Sequence, residues 1–180
     1  LRSMSEAMVK EIISATELAR RVTELGRELS EGFADSDPIF LGLLSGAEIF
    51  LADLVRAVGR PWRFEFVRVS YGHGETGGAD LLSIHFPIPV DVRDQHVVII
   101  KDVVASGVTE SYLASQLRER GAASVAFVAL VDLAGERTTP FIPDYRAFTL
   151  QRAGRLVGYG LKGAAGRLGN LPFLGEVPRG

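Results

Sequence analysis

A short turn of hydroxyl-bearing residues and glycine offers several hydrogen-bond donors to an anion the size of phosphate. Ser106 and Thr109 supply hydroxyl groups, and Gly107 allows the backbone to approach a ligand closely. With Val108, these residues begin a predicted helix, whose first N–H groups are unpaired and lie at the positive end of its dipole. The sequence therefore predicts a phosphate-binding turn over 105–109. A strand-to-helix turn capped by Ser or Thr is the alternative explanation of the same residues.

The flanking residues must position this turn between a strand and a helix. Val97 to Ile100 is a β-branched run that indicates a strand buried on both faces, and 110–121 has helical spacing that ends at a glycine. Helical and strand patterns alternate along the rest of the chain, which favours an α/β sheet covered by helices. Further helices are predicted over 14–33 and 47–58, further strands over 38–44, 62–70, 81–86, 125–131, 145–150 and 155–159, and a loop over 132–143.

Composition indicates one ordinary globular domain, predicted over 4–177 of the 180 residues. Its 20 basic and 22 acidic side chains form no basic run, so nucleic acid is not an expected partner. The chain has no cysteine, which excludes disulfides and thiolate metal sites and fits a cytoplasmic location. No apolar stretch approaches the roughly 18 to 20 residues of a membrane span, so no membrane partner is expected. Residues 1–3 precede Met4 and are expected to be a cloning remnant.

Five stretches of the sequence, in order and from about Ile12 to Val177, resemble the hypoxanthine-guanine phosphoribosyltransferases. They are LGLLSGAEIFLADLVR at 41–56, FVRVSYG at 66–72, VIIKDVVASGVT at 98–109, IPDYRAF at 142–148 and VGYGLKGAAGRLGNLPFLGEV at 157–177. These type I phosphoribosyltransferases join a purine base to 5-phosphoribosyl-1-pyrophosphate (PRPP) with Mg²⁺, and they release pyrophosphate and a nucleoside monophosphate. The resemblance implies a central parallel sheet flanked by helices on both faces, and a homodimer or homotetramer. It also implies a flexible flap at about 70–82 and a small hood built from about 155–177 and part of the N-terminus.

The same resemblance assigns roles to individual residues of this chain. The phosphate-binding turn becomes the cradle of the 5′-phosphate, and Asp102 with Lys101 lies beside the ribose. The positions implied near the pyrophosphate and the flap are Ser45, Gly46, Ser70, Tyr71 and Arg167, and those implied near the base are Leu133, Arg155 and Leu156.

Several of these positions depart from the family pattern. The carboxylate that faces the purine N7, and that is the usual candidate for proton transfer, is replaced by Ala105. Proton transfer by a positioned side chain contributes roughly 10²- to 10⁴-fold in rate. Alanine cannot transfer a proton, so the sequence predicts no certain catalytic residue. The family's lysine near the pyrophosphate is replaced by Ser45. The family's lysine that donates a hydrogen bond to the purine 6-oxo group is replaced by Leu133. The family's aromatic residue that stacks on the base is replaced by Arg155. The family's Mg²⁺-associated aspartate is replaced by Lys162, so the sequence predicts no metal ligand at this position.

The substitutions make the site more positive than the family pattern, because Lys101 and Lys162 both replace carboxylates. One hypothesis is that these lysines supply part of the positive charge of Mg²⁺ and favour a phosphate-rich ligand. The alternative is that both lysines point to solvent.

Two functions remain open at this point. The first is a purine-type phosphoribosyltransferase of altered or reduced activity, which binds PRPP or a nucleoside 5′-monophosphate and requires Mg²⁺. The second is a catalytically silent relative, without a cofactor, that binds such a nucleotide or phosphoribosyl compound as a regulatory or assembly protein.

Overall fold

The computed structural model describes residues 9–44, 46–72, 81–85 and 90–178. Nine strands lie in these ranges: β1 (Lys10–Ile13), β2 (Ile39–Leu44), β3 (Arg63–Gly72), β4 (Leu81–His85), β5 (His96–Val104), β6 (Ser124–Leu133), β7 (Tyr145–Leu150), β8 (Arg155–Val157) and β9 (Leu174–Val177). Three helices accompany them: α1 (Ala15–Gly32), α2 (Glu48–Val58) and α3 (Val108–Glu119). Within the described residues, no helix combines the length and the apolar character needed to span a membrane.

Six strands form a central sheet in the order β4-β3-β2-β5-β6-β7. The five strands from β3 to β7 in this order run parallel, and β4 pairs antiparallel with β3 at the edge. Because parallel strands end at a common edge, the chain leaves β2, β5 and β6 close to one another. This edge is where the sequence places Gly46, Ala105 and Leu133. The remaining strands form a separate antiparallel sheet in the order β1-β9-β8.

Helices cover both faces of the central sheet, as predicted. On β5, Val98 and Ile100 belong to the apolar cluster that includes residues of α1 and α2. Their neighbours Val97 and Ile99 belong to a second cluster, which includes Leu113 and other residues of α3. This alternation follows from the period of two residues in a strand, which directs successive side chains to opposite faces. The β-branched run is therefore buried on both sides.

Local signals fix the ends of two helices. The hydroxyl of Ser14 accepts a hydrogen bond from the Glu17 N–H at 3.2 Å, which caps the start of α1. Gly59 ends α2 in the left-handed conformation, with φ +67°. The two helices approach closely at Gly26, where an added Cβ would lie 2.6 Å from the backbone carbon of Ala57. Only a glycine at position 26 permits this packing.

The structure differs from the predicted boundaries at several places, and the strand predicted over 155–159 ends at Val157. Strand β5 continues four residues beyond Ile100, because it remains paired with β6 as far as Val104. The predicted loop over 132–143 was wrong at its start, since Asp132 and Leu133 still pair with β7. Helix α3 begins at 108 rather than 110. The predicted domain, flap and hood boundaries stay predictions, and residues 73–80 of the flap lie outside the described residues.

Candidate functional site

The predicted phosphate turn joins β5 to α3. Gly107 is the N-terminal cap of α3 and has φ +83°, a conformation that strongly favours glycine, and no side chain caps the helix through a hydrogen bond. The alternative explanation, a helix that begins at a Ser or Thr cap, is therefore wrong, because the left-handed Gly107 itself turns the chain into the helix. The Ser106 hydroxyl accepts a 3.3 Å hydrogen bond from the Val108 N–H. The turn thus brings together Ser106, Gly107, Val108 and Thr109 at a helix start, where N–H donors and the positive end of the dipole suit an anion.

A neighbouring segment holds the turn in place. The backbone N–H groups of Thr138 and Thr139 both donate to the Ser106 carbonyl, at 3.1 and 3.2 Å, and the Thr139 hydroxyl donates to it at 3.0 Å. A Cβ on Gly107 would collide with the Thr139 hydroxyl and lie 2.9 Å from the Cβ of Phe141. The loop after β6 therefore restrains the turn. No pattern in the sequence identified these two threonines.

Lys101 forms a buried ion pair. Its Nζ lies 3.3 Å from Oε1 of Glu110 on α3, and the two side chains are 21% and 3% exposed. The lysine therefore does not point to solvent, and its charge is balanced by Glu110. The sequence prediction of extra positive charge at position 101 omitted this partner. Glu110 lies in the first turn of α3 on its buried face, and an acidic residue at such a position is the feature of the sequence that could have identified the partner of Lys101.

Asp102 lies at the centre of the site. Its Oδ1 accepts a 2.7 Å hydrogen bond from the Val103 N–H. Burial raises the pKa of Asp102, and the charge of Glu48 adds to this effect, while Lys101 and the Val103 N–H oppose it. The carboxylate also lies directly against Gly46, where an added Cβ would collide with Oδ2. The structure thus brings together the predicted ribose residue and the predicted pyrophosphate residue.

The predicted base positions are apolar. Leu133 and Leu156 are buried in one cluster, and the half-buried Ala105 packs against it. Pairing of Val104 with Asp132 places Ala105 beside Leu133 at the strand ends. Arg155, by contrast, is exposed on β8. Three of the four positions predicted to lie near the base, Ala105, Leu133 and Leu156, therefore carry hydrocarbon side chains.

A second buried ion pair lies next to the base positions. Arg137 donates through Nη2 to Asp132, and their side chains are 14% and 6% exposed. The guanidinium also lies 5.9 Å from the ring centroid of Phe141. Its Nη1 is buried and has no hydrogen-bond partner among the described residues. Arg137 also lies close to the phosphate turn, since its Cδ is 3.3 Å from the position of a Cβ on Gly107. Sequence reasoning missed this residue.

Two of the remaining predicted positions, Lys162 and Arg167, lie near the start of α2. A cavity of about 410 Å³ is lined by Glu48, Lys162 and Arg167, and both basic residues are exposed. Ser70 and Tyr71 belong to β3, where their backbones pair with Ser83 and Leu82. Ser45 lies outside the described residues.

A magnesium site would need several oxygen ligands close together. The described residues contain no group of three or more His, Asp or Glu side chains that could hold a metal ion. Lys162, which the resemblance predicts at the Mg²⁺-associated position, carries an ammonium group, and an ammonium group is not a metal ligand. The described side chains alone therefore do not fit a resident metal, and no step of the chemistry is assigned to one.

Comparisons with known proteins agree with this geometry. A family model of the phosphoribosyl transferase domain matches residues 8–162. The hypoxanthine-guanine phosphoribosyltransferase of Bacillus subtilis is 34% identical over 175 residues, which cover 97% of this chain and 96% of that protein. A hypoxanthine phosphoribosyltransferase structure from Staphylococcus aureus shares the fold, with a TM-score of 0.86, 23% identity and coverage of 98% and 96%.

A mutant hypoxanthine phosphoribosyltransferase from Trypanosoma cruzi, solved as a ternary complex with substrates, is also similar. Its TM-score is 0.82 at 28% identity, and 96% of each chain is covered. The parallel sheet, the turn between β5 and α3, and these full-length matches lead to one assignment. This chain belongs to the hypoxanthine-guanine phosphoribosyltransferase family of type I phosphoribosyltransferases.

Proposed function

We propose that this protein is a purine-type phosphoribosyltransferase that binds PRPP and nucleoside 5′-monophosphates. The phosphate turn carries the proposal. Gly107 with φ +83° begins α3 and has no side chain that caps the helix, and the hydroxyl groups of Ser106 and Thr109 flank it. A helix start of this kind binds a phosphate through backbone N–H donors and the helix dipole. Family membership supports the same ligand class.

The proposed reaction replaces pyrophosphate with a base at C1 of the ribose. A ring nitrogen of the base donates its lone pair to C1, and the C1–O bond breaks with its electrons leaving on pyrophosphate. Asp102 accepts a hydrogen bond from a ribose hydroxyl, and Lys162 and Arg167 lie on the pyrophosphate side. A proton must also leave the base. Ala105 cannot accept it, so water takes the proton, and positioning supplies most of the rate acceleration.

We expect an altered preference for the base. Leu133 offers no donor to a 6-oxo group, and Ala105 offers no partner to a purine N7. A binding site that forms a hydrogen bond with a polar group of the substrate discriminates strongly against analogues that lack this group. A site lined by hydrocarbon side chains discriminates only weakly between such compounds. Hypoxanthine and guanine are therefore expected to react slowly, and bases with fewer polar edge groups are expected to compete with them.

Mg²⁺ is expected to accompany the diphosphate of PRPP. Proteins usually hold this ion through one or two carboxylates together with substrate phosphates and water.

We also propose that the protein is a cytoplasmic homodimer or homotetramer. Sedimentation velocity would then give two or four times the monomer mass.

A binding protein without turnover is the second candidate. Ala105 favours it, because the usual proton acceptor is absent while the phosphate turn is intact. Such a protein would bind PRPP or a purine nucleoside monophosphate and regulate or assemble with another protein.

Pyrophosphate release tests the two candidates. The protein is incubated with PRPP and a panel of purine and non-purine bases, with and without Mg²⁺. Ala105→Asp is measured in parallel, with Ala123→Asp at an exposed position as the matched control. Turnover by the unmodified protein supports the enzyme, and the fastest base identifies its substrate class. No turnover with any base, together with measurable PRPP binding, supports the binding protein. Turnover gained only in Ala105→Asp locates the defect at that position.

A further inference from the structure

A cluster of charges at the start of α2 is not explained by the family pattern. The cavity of about 410 Å³ is lined by Glu48, Lys162, Arg167 and Asn170, among other residues. Among the described residues, neither Lys162 nor Arg167 has a carboxylate within 4.0 Å of its charged nitrogen atoms. Two unpaired cations beside an amide suit an anion with several oxygen atoms. The cavity nevertheless contains a carboxylate of its own.

That carboxylate is bonded to the backbone. Oε2 of the half-buried Glu48 accepts a hydrogen bond from the Gly46 N–H at 2.5 Å. Gly46 has φ +125° and precedes α2, whose N-terminal cap, Ala47, makes no side-chain hydrogen bond. Unpaired N–H groups at a helix start are the donors that an external anion would use. Glu48 therefore occupies a backbone donor at the helix start, and Glu48 itself lines the cavity that Lys162 and Arg167 also line.

Gly46 connects this cavity to the rest of the site. On one side it lies against the Asp102 carboxylate, and on the other its carbonyl oxygen is 2.7 Å from the position of a Cβ on Gly160. Gly160 lines the same cavity as Lys162. A ligand that extends from the phosphate turn past Asp102 would therefore bring its second anionic group to Gly46.

We infer that Glu48 is an affinity-determining residue, whose carboxylate competes with the diphosphate of the ligand for the Gly46 N–H and for the field of Lys162 and Arg167. This inference rests on the proposed function. Diphosphate binding requires Glu48 to leave the Gly46 N–H, and its negative charge then opposes the incoming anion. The protein consequently binds pyrophosphate and PRPP more weakly than the cavity permits.

Titration calorimetry of the full chain with inorganic pyrophosphate tests the inference. Glu48→Ala should lower the Kd for pyrophosphate by about tenfold, because it frees one charge-assisted donor and removes a like charge. Glu48→Gln, which keeps an acceptor but no charge, should give an intermediate value. Glu176→Gln is the matched control, since half-buried Glu176 also accepts from a backbone N–H, that of Gly154, at 2.6 Å. It should bind pyrophosphate as the unmodified protein does.

Two further measurements make the result decisive. Adding Lys162→Met to Glu48→Ala should cancel the gain in affinity, because the cation is part of the same anion site. Unchanged or weaker pyrophosphate binding by Glu48→Ala, or no binding by it at all, would overturn the inference. Ribose 5-phosphate is titrated into the same samples. If it binds while Glu48→Ala shows no gain, only the inference about Glu48 fails, and if neither ribose 5-phosphate nor PRPP binds, the proposed function fails.

Discussion

At the scale of single residues, two of the charges beside the site, those of Lys101 and Arg137, are each compensated by a buried carboxylate. Lys101 is balanced by Glu110, which lies on a different element and is almost fully buried. Burying two charges is costly, and their attraction offsets this cost only while both are present. The sequence identified Lys101 as a departure from the family pattern. It could not identify the partner, because the pairing depends on how α3 packs on the sheet.

The Lys101–Glu110 pair gives a stability prediction. Lys101→Met leaves Glu110 buried without a partner and should lower the free energy of unfolding by about 3 kcal/mol. The double variant Lys101→Leu/Glu110→Leu should recover most of this loss, because hydrocarbon replaces both charges. Urea denaturation of the single and double variants measures the coupling. A loss below about 0.5 kcal/mol in Lys101→Met, the range of exposed pairs, would contradict the buried pairing.

Asp102 gives a prediction about pH. Burial, with the charge of Glu48, raises its pKa above the ordinary value of 3.8 despite Lys101. Between 3.8 and the raised pKa the folded protein binds more protons than the unfolded chain, so the stability contributed by this group falls as pH rises. Asp102→Asn removes this dependence. Its free energy of unfolding, relative to the unmodified protein, should therefore increase from pH 4 to pH 8.

Denaturation at several pH values checks this expectation, with Asp35→Asn at an exposed position as the control. A difference between Asp102→Asn and the unmodified protein that does not change with pH would show that Asp102 is not desolvated in the folded state.

At the scale of elements, close packing of α1 on α2 holds the first part of the site. An added Cβ on Gly26 would lie 2.6 to 2.9 Å from atoms of Ala57, including its backbone. Gly26→Ala should therefore force the helices apart and destabilise the protein by about 1–3 kcal/mol, although alanine is the better helix former. Arg27→Ala, one residue further along and exposed, should change stability little. Thermal unfolding compares the two variants, and an equal or higher Tm for Gly26→Ala would contradict the packing.

The elements were largely predictable from local patterns. Amphipathic spacing predicted α1, and the stop at Gly59 predicted the end of α2. Boundaries failed where non-local pairing decided them. Residues 132 and 133 look like the start of a loop, but pairing with β7 keeps them in the sheet. The two threonines that restrain Ser106 were missed because they are more than thirty positions away in the chain.

At the scale of the whole molecule, the parallel sheet brings separate stretches of the chain to one edge. Gly46, Asp102 and the phosphate turn meet there because β2 and β5 are parallel neighbours. The family resemblance predicted this meeting and the fold. It did not predict the bond between Glu48 and the Gly46 N–H, since the resemblance describes only shared residues. The features that distinguish this chain from its relatives therefore required the structure.

Calorimetric titration with PRPP tests the central claim most directly. The unmodified protein should bind PRPP, and Gly107→Ala should bind at least tenfold more weakly, because a Cβ at φ +83° strains the turn and displaces Thr139. Gly121→Ala is the matched control, since Gly121 lies just beyond the other end of α3 with φ +87°. It should keep the affinity of the unmodified protein. Equal PRPP affinity in all three proteins, or no binding by the unmodified protein, would contradict a phosphate site at Gly107.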